Sequence, residues 1–260
     1  MQHTSYFVFL FLVLSLVTAC SNSPAPSSDP VSESPITVVS HNTLTEAEIA
    51  DGWQLLFNGK DLSGWHTYGQ DTVGVAWKVN EEGNLYLDNS QKNGWQVVGG
   101  GDIVTDSAFN DYELRLEWKI DSCGNSGIIY NVVEDNRSAY PWMTGPEMQI
   151  LDNSCHPDAK IVTHRAGDLY DMITGEPENA HPAGEWNSIR LISTDGKVEH
   201  WQNDAKIVEY VNTGEEWKAM ITDSKFKDMP LFGSSTGGRI SLQDHGDLVS
   251  FRNVKIRVLK

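Results

Sequence analysis

Short runs in which apolar and polar residues alternate recur along most of the chain, separated by clusters of Gly, Asn, Asp and Pro. Residues 53–57, 75–79, 85–87, 112–120, 128–133, 148–151, 187–193 and 249–258 read as β-strands. In 112–120, Tyr112, Leu114, Leu116, Trp118 and Ile120 take one face, and Glu113, Arg115, Glu117 and Lys119 take the other. One face is expected in a core and the other in water. Val254, Ile256 and Val258 share a phase that Val249 and Phe251 break, which predicts a bulge near Arg252 and Asn253, of the kind that often re-aims side chains beside active sites. Helical signals are few: Thr45-Glu46-Ala47-Glu48 has capping-box form, and 215–225 can make two or three turns. The expected fold is all-β, a sandwich or jelly roll.

The amino-terminal segment differs in kind. Residues 1–19 carry no Asp, Glu, Lys or Arg, and 6–17 are apolar except for Ser15, which is the h-region of a signal peptide too short to span a bilayer. Val17-Thr18-Ala19-Cys20 has the form of a lipobox, so cleavage before Cys20 and lipidation of its thiol are expected. The n-region offers only His3 and the amino terminus where Lys or Arg is usual, which leaves an ordinary secretory signal as the alternative. Residues 20–44 read as a Ser- and Pro-rich tether, unable to bury enough surface to offset its ordering entropy. A flexible coil of about 25 residues spans roughly 25 to 30 Å. Residues 45–260 then form one β-sandwich domain, exported and membrane-anchored, facing the periplasm or the cell surface.

The net charge of −17 lies wholly after the signal peptide and argues against nucleic acid and anionic polymers, leaving neutral substrates favoured. With Cys20 acylated, only Cys123 and Cys155 remain, and an oxidising compartment permits them to pair.

Six blocks carry a family resemblance. They begin with Gly52-Trp53-Gln54-Leu55-Leu56-Phe57-Asn58-Gly59-Lys60-Asp61-Leu62-Ser63-Gly64-Trp65 and continue with Gly124-Asn125-Ser126-Gly127 and with residues 144–153 around Glu147-Met148-Gln149. Residues 166–171, Gly184-Glu185-Trp186-Asn187, and Leu242-Gln243-Asp244-His245-Gly246 with Phe251-Arg252-Asn253 complete the set. In order and spacing the chain resembles the 3-keto-disaccharide hydrolase domain family from Gly52 to Leu259. The resemblance implies a concanavalin A-like jelly roll and a role in sugar breakdown. Asn203-Asp204 stands where the family has Asn-Gly in a hairpin turn, and Asp tolerates that backbone less well than Gly.

Positions two apart on a strand share a face, and here the series is Glu147, Gln149, Leu151. A retaining glycosidase needs two carboxyl groups about 5 Å apart, and this strand supplies one. The family's substrate, a glycoside oxidised to a ketone at C3, fits that shortage: the ketone acidifies the C2 hydrogen, so one base starts β-elimination of the C1 substituent and hydration completes a net hydrolysis. The expected catalytic residues are Glu147 or His245 as base, with the other and Tyr170 as acids, and Arg252 or Gln149 steadying negative charge. Asn125, Trp142, Gln149, Asp152, Asp171, His200, Gln243 and Arg252 are the candidate substrate contacts, with Trp142, in the loop 139–145, as the sugar platform. Structural roles compete with these: Glu147 in an ion pair with a neighbouring Arg, His245 in a turn, and Asn125, Asp152, Asn187 and Asn253 closing Asx-type turns.

His156, His164, Asp168, Asp171 and His181 crowd one irregular segment without a recognised zinc spacing. No cofactor is expected, although Asp152, Asp168 and Asp171 could supply oxygens to calcium. Of the nine tryptophans, Trp118 should be core, while Trp186 and Trp201 could be core or platform. A sugar dehydrogenase that installs the ketone is the implied upstream partner. Two rivals stay open: a non-catalytic carbohydrate-binding module, and a glycosidase pairing Glu147 with Glu113 or Glu117 on another strand.

Overall fold

A computed structural model describes Met1 and residues 41–259. Apart from Met1, the expected signal peptide, the expected lipidation site at Cys20 and most of the expected tether lie outside the described residues. Among those described are fifteen strands: β1 (Trp53–Leu55), β2 (Trp65–Thr67), β3 (Trp77–Val79), β4 (Leu85–Leu87), β5 (Lys92–Asn93), β6 (Gln96–Val97), β7 (Ile103–Thr105), β8 (Tyr112–Ile120), β9 (Asn125–Val132), β10 (Glu147–Leu151), β11 (Asn187–Thr194), β12 (Lys197–Gln202), β13 (Ala205–Val211), β14 (Arg239–Leu242) and β15 (Val249–Val258). Two helices join them, α1 (Glu46–Ala50) and α2 (Gly214–Asp223), the first closed by the capping box read from Thr45 and Glu48.

The strands form two antiparallel sheets and a ribbon. The larger runs β13-β12-β11-β8-β15-β4-β3 with β1 also on β15, the smaller runs β10-β9-β14-β7-β2, and β5 pairs with β6. The fold is a jelly-roll sandwich. Its core is the alternate residues of facing strands: Leu114, Leu116 and Trp118 of β8, Phe251, Val254 and Ile256 of β15, and Met148 and Ile150 of β10 are all buried.

The outward face of β8 is not uniformly wet. Glu113 is 1% exposed because Arg115, Arg190 and Arg257, from three adjacent strands, converge on its carboxylate. Burial opposes its ionisation, but those hydrogen bonds outweigh burial and hold the carboxyl below its usual range. The predicted bulge interrupts β15 between Arg252 and Lys255, with Asn253 at φ 55°. It re-aims Asn253 onto Glu117 and onto Asn42, so His41 and Asn42, grouped with the tether by composition, are bonded to the sheet. Asn203 and Asp204 turn the β12–β13 hairpin, both with positive φ as a two-residue turn of this kind requires.

Replacing Glu113 by Gln leaves three guanidinium groups around a neutral amide. Their side chains are 42%, 36% and 23% exposed, so water softens the loss, and we expect about 2 kcal/mol of destabilisation in urea unfolding, below that of a fully buried pair.

Candidate active site

The smaller sheet is buried on both faces at β9 and β10, because loops cover its outer side. Alternation aims Met148 and Ile150 into the core and leaves Glu147 and Gln149 on that covered outer face. Residues 167–170 extend the sheet past β10: Gly167 N donates to Gln149 O (2.8 Å), Gln149 N to Asp168 O (3.1 Å), and Tyr170 N to Glu147 O (3.0 Å). Leu169 is fully buried, so the next residue, Tyr170, is turned out beside Glu147. On the other side, Gln243 N donates to Gly127 O (3.0 Å). The Asp244 carboxylate then accepts from the backbone of Val97, Gly101 and Gly246, and this lock presents Gln243 and His245 to the same space.

The result is a cavity of about 260 Å³ lined by Trp95, Asn125, Trp142, Glu147, Gln149, Tyr170, Lys225, Phe226, Gln243 and His245. Glu147 is its sole lining carboxylate. The side chain exists in that place only because position 127 is glycine: a Cβ there would stand 2.0 Å from Glu147 Oε1. The Asn-Ser-Gly block is therefore a fitted contact as well as a strand start. One wall is aromatic, with Tyr140 stacked on Trp142 (5.4 Å, 8°) and edge-on to Trp95 (5.1 Å, 67°).

Burial pushes Glu147 up to about 8, against the Lys225 cation and a hydrogen bond to Gln243. Burial has the opposite effect on His245, whose pKa is drawn below the ordinary histidine value. Burial also raises Tyr170 beyond the usual phenol range, with Glu147, Asp158 and Asp171 adding to the rise. Asn125 Oδ1 and Gln243 Oε1 are buried without a protein hydrogen-bond partner, the acceptor geometry a sugar hydroxyl can satisfy.

Of the residues expected at the site, Glu147, His245, Tyr170, Asn125, Trp142, Gln149 and Gln243 meet in this cavity. Four do not. His200 is fully buried between the sheets: its Nδ1 donates to Gly167 O (3.1 Å), so Nε2 accepts from Tyr130 Oη (2.7 Å), and burial lowers its pKa to about 4. The Asp152 carboxylate accepts from Cys123 N (2.8 Å) and Ser154 N (3.0 Å), closing a turn. Asp171 accepts from His164 Nε2 (3.0 Å) and Lys225 N (2.8 Å), holding the cavity wall rather than lining it. Arg252 is on the larger sheet, bonded to Glu117 (2.7 Å) and lying over Trp186, so it cannot steady charge at Glu147, and the bulge beside it serves no site there. The pairing of Glu147 with Glu113 or Glu117 fails for the same reason, since β8 belongs to the opposite sheet and both its carboxylates are held by arginines. Nor does Glu147 pair with an arginine.

Asp152, Asp168 and Asp171 are engaged separately, Asp168 by the backbone of Arg165 and Gly175. Among the described residues the one cluster of three ligand-type groups is Cys123, Asp152 and Cys155, whose thiols form a disulfide with Cα atoms 4.7 Å apart. That disulfide ties the ends of β9 and β10 next to Asn125. Trp118 is core, Trp186 lies under Lys119 and Arg252, and Trp201 lies under Arg190. A larger, polar groove of about 540 Å³ crosses the outer face of the larger sheet around Arg115, Arg190 and Trp201, away from these groups. Lys225, Trp95 and Phe226 line the cavity without having been anticipated, because none sits in a strand pattern or a motif block.

A family described as the 3-keto-alpha-glucoside-1,2-lyase-like domain matches residues 52–257. The chain belongs to this family. It is 38% identical over 231 residues to a 3-keto-disaccharide hydrolase of Bacteroides thetaiotaomicron, covering 81% of this chain and 79% of that protein. A crystal structure of a candidate glycosyl hydrolase from Parabacteroides distasonis superposes with a TM-score of 0.76 at 36% identity, over 85% of this chain and all (100%) of the other. A second from the same organism gives 0.57 at 25% identity, over 80% and 84%. As a member, the chain is a carbohydrate-active hydrolase of glycosyl bonds, so the non-catalytic binding module is set aside.

Gly127→Ala forces the Glu147 carboxyl to move. We expect glycoside cleavage to fall about 10²-fold in kcat, measured beside an unfolding curve that locates any loss of stability.

Proposed function

We propose that the enzyme cleaves 3-keto-glycosides by elimination and hydration. The observation that carries this reading is the solitary carboxyl on the cavity floor: Glu147 has no second lining carboxylate to serve as partner in an ordinary two-carboxylate hydrolysis. The name of the Bacteroides relative supports the same substrate class.

Opposed pKa shifts support an assignment of acid and base that the sequence left open. Near neutral pH, His245 is neutral and able to take a proton, while Glu147, with its pKa near 8, is protonated and able to give one. His245 removes the C2 hydrogen as a proton, and the C2–H electron pair makes the C2=C3 bond of an enolate. The enolate re-forms the ketone, C1=C2 forms, the C1–O bond breaks, and Glu147 protonates the departing oxygen. Water then adds at C1 and a proton returns to C2, giving a free 3-keto sugar. Asn125, Gln149 and Gln243 hold sugar hydroxyls, and Trp142 with Tyr140 and Trp95 offers the stacking wall.

Such an enzyme consumes the product of a sugar dehydrogenase and so works downstream of one. The lipobox at Cys20 supports a lipid-anchored enzyme facing the periplasm or the cell surface, and the electrically neutral substrate suits a chain of charge −17.

The test is a comparison of a glucoside with its 3-keto form. Cleavage of the keto sugar alone is expected, and equal rates on both would refute elimination. Glu147→Gln and His245→Ala should each lose about 10² to 10⁴-fold on the keto sugar. The rate should fall as pH drops through the lowered pKa of His245, which protonates the base. It should fall again as pH rises through about 8, which strips Glu147 of its proton. A rate that climbs through pH 8 would reverse the two roles.

A further inference from the structure

The elimination just proposed builds negative charge on the oxygen at C3, and neither His245 nor Glu147 is free to neutralise it while they move protons. The cavity holds one more charged group. Helix α2 ends at Asp223, and Ser224 Oγ accepts from Phe226 N (3.1 Å) to turn the chain. Phe226 is buried in a parallel stack on Phe232 (3.9 Å, 4°), and Asp171 accepts from Lys225 N (2.8 Å). Between these two anchors the Lys225 side chain is directed into the cavity. The residue as a whole is solvent-exposed, but its ammonium lies against the cavity wall, 3.9 Å from the Tyr170 ring centroid.

We infer that Lys225 is a further catalytic residue, whose ammonium binds the C3 oxygen of the keto sugar and carries the charge of the enolate. This rests on the elimination reading above. Three features favour it. Lys225 is the only cationic residue among those lining the cavity. The carboxylates facing it, Glu147, Asp171 and Asp158, act on it through space, with no side-chain hydrogen bond among its interactions, so its donors remain free for a ligand. Glu147, which would compete for the ammonium if ionised, is protonated in the working state.

The same surroundings decide between two chemistries open to a lysine beside a ketone. Crowding by the walls draws the Lys225 pKa below the ordinary lysine value, which on its own would favour a nucleophilic amine and a Schiff base. The π-face of Tyr170 and the Asp171 and Asp158 carboxylates favour the charged form. Charge binding is therefore the role, with no covalent bond to the sugar: as the C2–H pair moves into C2=C3, the C3=O π pair moves onto oxygen and meets the ammonium, and it returns when C1–O breaks.

The experiment uses a 1,5-anhydro 3-keto sugar, which has no leaving group at C1, in D₂O, so that only proton exchange at C2 is read. A 3-keto-glucoside is followed in parallel for cleavage. Lys225→Met is expected to slow both exchange and cleavage by about 10² to 10³-fold, mostly in kcat, while Lys225→Arg, which keeps the charge, recovers at least tenfold of that loss. Unfolding curves should stay close to the wild type, since methionine keeps an apolar stem against the Tyr170 and Phe226 rings that the lysine covers. Exchange at the wild-type rate in Lys225→Met would overturn the inference alone, as would a change confined to KM or a borohydride-trapped lysine adduct in the wild type. A wild-type protein that neither exchanges nor cleaves keto sugars would instead overturn the elimination reading, and this inference with it.

Discussion

An outward-facing carboxyl on a β-strand is ordinarily solvated, and solvation is what keeps it ionised at neutral pH. Glu147 is on the outer face of its sheet yet only 6% exposed, because residues 167–170 add to the β10 edge on one side and Gln243 closes on Gly127 on the other. Removing water without supplying an ion pair is the constraint from which the rest of the site follows. It raises the Glu147 pKa, keeps the proton on the carboxyl, and leaves the neighbouring cation Lys225 unsatisfied by it. It also requires glycine at 127, since any side chain there would occupy the carboxyl's position.

The two sheets divide their labour through charge. On the larger sheet, outward carboxylates are neutralised by arginines of adjacent strands, as Glu113 and Glu117 are, and those groups have no remaining valence for a substrate. On the smaller sheet the outward side chains of the cavity, Glu147, Asn125 and Gln243, make no salt bridge, and two of them present buried oxygens with no protein donor. The ionic network stabilises one face, and the other keeps unpaired oxygens that suit the proposed sugar.

Period-two alternation exposed most of the architecture, because a strand with one core face must repeat apolar residues at every second position. It found β8, β10, β11 and β15 and the bulge in β15, whose phase break is written in Val249, Phe251 and Val254. It missed β2, β7 and β14, which have three or four residues each, and also the longer β12 and β13, of which only the Asn203-Asp204 turn between them was read. The site was legible where motif residues lie on strands or immediately after them, as Asn125, Glu147, Gln149 and Gln243 do. It was not legible where a side chain's direction depends on long-range packing. His200 alternates into the core because β12 belongs to the sheet opposite the cavity, Arg252 faces away for the same reason, and Lys225 reaches the cavity only through the anchoring of Phe226 and Asp171.

Elimination and direct displacement at C1 differ in the fate of one hydrogen. The decisive measurement is cleavage of a 3-keto-glucoside in D₂O, with the sugar product analysed by NMR and mass spectrometry at the earliest turnovers, before free 3-keto sugar exchanges with solvent. Proton removal at C2 followed by hydration predicts one deuterium at C2 of every product molecule. Product that retains its original hydrogen at C2 would contradict the account and point to displacement at C1.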